Sequence, residues 1–92
     1  MSLEREADRG RLADDVLRNP VYAESYDLIE QEITRKWRDS KDRDEREQLH
    51  QLLRMLAKAR TVLESTMRSG KVASSELKRK RTLAERAGIR RG

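Results

Sequence analysis

Five apolar residues follow one another at steps of four, three, four and four: Tyr22, Tyr26, Ile29, Ile33 and Trp37. Only an α-helix puts residues so spaced on one face, so this stretch cannot be a strand. A second such series begins twelve residues later. Leu49, Leu52, Leu56, Ala59 and Leu63 step by three, four, three and four, the a/d spacing of a helical seam, and Leu53, Arg60 and Met67 broaden it. Between the two lies DSKDRDERE, residues 39–47, nine positions without an apolar side chain. That segment reads as a loop followed by the solvated first turns of the next helix. Asp42 and Glu45 have the spacing of a capping box, and early acids suit the helix dipole.

The ends of these helices carry their own signals. Asn19-Pro20 marks a boundary: the residue before a proline avoids the α region, so a first helix over residues 1–18 should end near Arg18. Asn is a good N-cap and Pro costs no hydrogen bond at the first helical position, so the second helix should start there. Residues 1–18 form a weak first helix, rich in acids and interrupted by Gly10, and are expected to be helical only when docked. Ser69-Gly70 supplies the expected C-terminus of the third helix, with Gly70 as its cap. Beyond it, Ser74 or Ser75 is placed to cap a short helix over about residues 75–87.

The expected fold is therefore all-α. An antiparallel helical hairpin, about residues 20–38 and 42–69, forms the core of a segment spanning 19–70. A weak N-terminal helix or arm (1–18) precedes it and a basic C-terminal helix or tail (71–92) follows. Two amphipathic helices alone bury too little apolar surface to offset the ordering of about 45 residues. Another surface has to cover the stripes. The long leucine series makes self-association the leading expectation, with Leu49, Leu52, Leu56 and Leu63 as the seam. Trp37, beside the charged loop, serves either as core or as an interface anchor.

Charge is unevenly placed. Residues 1–70 carry 14 Lys+Arg and 15 Asp+Glu, 14 − 15 = −1, whereas residues 71–92 carry 8 and 2, 8 − 2 = +6. The basic character belongs to the tail: Lys71, Lys78, Arg79, Lys80, Arg81, Arg86, Arg90 and Arg91. Such a cluster binds phosphates by counterion release without reading sequence, or docks on an acidic protein surface. It has no aromatic side chain for base stacking.

Little in the chain points to chemistry. Cysteine is absent, which removes disulfides and thiolate metal or redox sites. His50 is the single histidine and has no second ligand at metal-binding spacing. The acids at 42–47 alternate with Arg43 and Arg46, which suits i,i+4 pairing on a solvated helix better than a cation loop. No serine has a histidine within helical reach, and no glycine-rich phosphate loop is present. The expectation is a non-enzyme without cofactor or metal. No run approaches the ~20 apolar residues of a membrane span, and none resembles a signal-peptide core, so a soluble intracellular protein with no membrane partner is expected.

Asn19 and Pro20, Glu30, Trp37, then Asp44, Arg46 and Glu47, then Leu49, Leu52, Leu56, Arg60, Leu63 and Glu64, and finally Gly70 form a recognisable order. In it, the segment of about 55 residues resembles a widespread group of small helical proteins encoded in tailed-bacteriophage genomes, often near virion-assembly genes. The basic tail lies outside the shared pattern. The resemblance implies a viral protein in the cytoplasm of an infected bacterial host, or in the virion. It would work as a scaffold, head or packaging accessory, through oligomerisation or by docking on a phage structural protein. Two further expectations stand beside this one: a sequence-independent nucleic-acid-binding protein acting through the tail, and an inhibitor of a host protein that presents Glu24, Asp27, Glu30 and the loop acids.

Overall fold

A computed structural model describes residues 2–88. Among the described residues the chain is three helices and their connections, with no strand: α1 (Leu3–Arg18), α2 (Pro20–Asp39) and α3 (Arg43–Gly88). Ile89, Arg90, Arg91 and Gly92, two of them predicted tail contacts, lie outside the described residues.

The caps explain the first two helices. The Ser2 hydroxyl accepts the Arg5 N–H at 3.2 Å, and Glu4 and Glu6 sit in the first turn, where negative charge is favoured. Asn19 does two jobs. Its N–H donates to the Val16 carbonyl at 3.1 Å and closes α1, while its side-chain oxygen accepts the N–H groups of Val21 and Tyr22 at 2.8 and 3.1 Å and opens α2. Pro20 takes the first helical position. After α2, the Asp42 carboxylate accepts the Asp44 N–H at 3.0 Å and starts α3.

α3 differs from the expectation at its far end. It does not stop at Gly70 and restart near Ser74 or Ser75; it runs unbroken for 46 residues and carries the basic segment as its own last turns. The reason lies at the opposite end of the chain. Gly10 of α1 and Gly70 of α3 face each other so closely that a Cβ built on either would clash with the Cα of the other. Both glycines, together with Ala13 and Ala73, are buried. Gly70 is thus a position of helix–helix backbone contact rather than a C-cap, and Gly10 is its counterpart rather than a flaw in a weak helix. The absence of a side chain outweighs the ~1 kcal/mol propensity cost of glycine at each site.

The contacts give the order of the elements along the molecule. Trp37 lies beside Arg46, Tyr26 beside Arg60, and Gly10 beside Gly70. Positions fall on α2 and then α1 as they rise on α3, so the two shorter helices lie end to end along the long one. The result is a rod. Its principal extents are 76 × 24 × 14 Å and its radius of gyration is 20.8 Å, against about 12 Å for a compact chain of this length. The interior is slight. Ala13, Tyr26 and Ala73 are the buried hydrophobic residues among those described, and no large side chain is completely enclosed.

Candidate association and acidic-partner surfaces

The joint between α2 and α3 is held by Arg46. Its guanidinium stacks 4.2 Å from the centre of the Trp37 ring and donates from Nη1 to the Trp37 and Ser40 carbonyls, at 2.6 and 3.1 Å. Those carbonyls belong to the last turn and cap of α2, so one side chain satisfies groups a helix end would otherwise leave open. Trp37 is half-buried there. Further along, the Arg60 guanidinium sits 5.1 Å from the centre of the Tyr26 ring, and Tyr22 tilts against Tyr26 at 6.2 Å. Burial pushes the Tyr26 hydroxyl above the usual tyrosine range and the Glu30 carboxylate adds to the shift, with Arg60 pulling the other way.

The predicted seam divides. Leu49, Leu56 and Leu63 are half-buried, as are Leu53 and Met67, whereas Leu52 remains 53% exposed. The line turned toward α2 and α1 is therefore Leu49, Leu53, Leu56, Arg60, Leu63, Met67 and Gly70, at alternating steps of four and three. Leu52 belongs to a second apolar line, with Met55 (63% exposed), Ala59 and Val62 (54% exposed). Both lines have helical spacing, and the leucine series 49–52–56–59–63 crosses from one to the other.

Two shallow grooves identify the flanks of the rod. One is lined by Ala7, Arg11 and Asp14 of α1 with Met67, Lys71 and Ser74 of α3. The other is lined by Glu6 and Arg9 with Ser65, Thr66 and Ser69. Stepping back by threes and fours along α3 from Ser69 and Thr66 reaches Val62, Ala59, Met55 and Leu52. Stepping along α1 from Arg9 reaches Leu12 and Val16, also exposed. Antiparallel helix geometry places Ser25, Ile29 and Glu32 of α2 on this same flank. On the opposite flank, the steps back from Lys71 reach Glu64, Thr61, Ala57, Arg54 and His50. The rod thus has one apolar and one polar flank over the same stretch. The apolar one was hidden in the sequence because nothing there says which of two helical stripes α2 covers.

The basic residues lie together at one end. Leu3, the described start of α1, is level with Leu77 of α3, so residues 78–88 run past it as a single helix. Lys78, Arg79, Lys80, Arg81 and Arg86 are exposed on those turns, about 16 Å of helix. Arg79 is held by Glu76 in a two-oxygen contact at 2.7 and 2.9 Å. Lys71 stands apart, in the groove beside α1. His50 is exposed on the polar flank, and among the described residues no group of three or more His, Cys, Asp or Glu could hold a metal ion. None of the described helices is long and apolar enough to cross a membrane. No protein-family model, no curated protein and no solved structure matches the chain.

Proposed function

We propose that the protein works by assembly: a helical scaffold, head or packaging accessory of the tailed-phage type that associates through its helices and contacts an acidic partner with its basic end. The observation that carries this reading is a helical rod 76 Å long in which, among the described residues, no large side chain is fully buried and ten large apolar residues are exposed. Hydrophobic burial is the main term that offsets chain ordering, and this chain has little of it within itself. In this reading α2 and the first half of α3 act as an antiparallel hairpin, α1 extends it, and the assembly supplies the missing cover. The likeness to small phage proteins gives the setting, the host cytoplasm or the virion.

A second reading has its own support. Five exposed cations project on a lone stretch of helix, free of α1, a form suited to a phosphate backbone. Duplex DNA titrated at rising salt separates the two. A nucleic-acid binder should bind at low salt, with a log–log salt slope approaching about −4, and lose binding when Lys78, Arg79, Lys80 and Arg81 are changed to Glu. An assembly protein whose basic end meets a protein surface should show no duplex binding at low salt, while its mass in solution exceeds one chain.

A further inference from the structure

From the exposed apolar flank we infer that the occupant is a second copy of this chain, laid antiparallel across a two-fold axis beside Ala59. This rests on the self-association reading and goes further by naming the surface, the partner and the order. Area is the first argument. The chain exposes 7754 Å², whereas a compact protein of 10.8 kDa exposes about 5,500 Å². The excess, roughly 2,200 Å², falls within the ~1,000–2,500 Å² that each partner contributes to an obligate interface.

The pattern on the flank is the second argument. Met55 and Val62 stand on either side of Ala59 on α3, and Ile29 and Val16 stand on either side of the same level on the facing helices. A two-fold axis there is self-complementary: Met55 of one copy meets the partner's Val62 and the reverse, as an isologous contact requires. Ala59 and Ser25, both small, leave room for close approach at the axis.

Charge is the third. That axis brings residues 71–81 level with the stretch around residues 36–46 of the second copy. Residues 71–81 carry five Lys+Arg and one acid, 5 − 1 = +4, and residues 36–46 carry five Lys+Arg and four acids, 5 − 4 = +1. The basic end of each copy therefore lies against a nearly neutral stretch of the other, which favours an antiparallel order. A parallel arrangement would stack the two basic ends.

The absence of cysteine makes the test clean. Sedimentation of the full chain at 1–100 μM should give twice the chain mass. M55E/V62E, at two exposed positions, should weaken association at least 100-fold, and its helix content by circular dichroism should recover as the concentration is raised. A57E on the polar flank should leave it unchanged. Under oxidation, M55C mixed with V62C should give the crossed disulfide in preference to either self-linked product. A single-chain mass at 100 μM overturns this inference and the self-association reading together. A multi-chain mass unaltered by M55E/V62E overturns the flank and leaves self-association standing. Self-linked M55C overturns the antiparallel order alone.

Discussion

At the scale of single residues, Gly10 and Gly70 set the strongest constraint. A methyl group on either has nowhere to go, because the obstacle is the facing backbone and not a side chain that can turn aside. G70A should therefore destabilise by about 1–3 kcal/mol, measured by urea unfolding. An ordinary helix-interior glycine replaced by alanine gains about 1 kcal/mol instead. Gly88, with nothing within 4 Å of its added Cβ, serves as the control, and G88A should not destabilise. Tyr26 gives a second test. Its folded-state pKa lies above the unfolded value of about 10, so the fold holds the proton more tightly. The stabilisation from this group is complete below pH 10 and is lost as pH rises through the folded value. Alkaline titration followed at 295 nm should show one tyrosine ionising late, and Y26F should remove that component.

At the scale of elements, the boundaries written in local chemistry were legible and those set by distant contacts were not. Asn19-Pro20 announced the end of α1 and the start of α2, and the apolar spacing announced both main helices. Gly70 misled because glycine suits a helix end and a close backbone approach equally well, and its partner lies sixty residues earlier. For the same reason Leu52 and Leu53 could not be ranked: each continues a helical line, and only the docking of α2 decides which turns inward. The basic segment was legible as charge but not as part of α3. The continuity of α3 has a measurable consequence. α1 packs along the stretch around Gly70 and Ala73, so a chain ending at residue 70 should lose the helicity of α1 as well as that of the deleted turns. Circular dichroism of the truncated and full chains reads this directly. A loss no greater than the deleted residues would show that α1 is helical without α3 beneath it.

At the scale of the whole molecule, charge and apolar surface have separate places. The body is nearly neutral, residues 71–92 hold the excess of cations, and six of the ten exposed large apolar residues among those described line one flank, with Val21, Leu28, Val72 and Leu83 elsewhere. Self-association predicts a particular dependence on solution conditions. Apolar contact along the flank should persist at high salt, while repulsion among the cations of the basic ends should fade as the Debye length shortens from about 10 Å at 0.1 M salt to about 3 Å at 1 M. The most direct measurement of the central claim is the mass of the intact chain by sedimentation equilibrium at micromolar concentration. Assembly through its own helices predicts two chains of 10.8 kDa in the particle, with folding that strengthens as concentration rises. A strict 10.8 kDa particle that unfolds cooperatively and independently of concentration would contradict it.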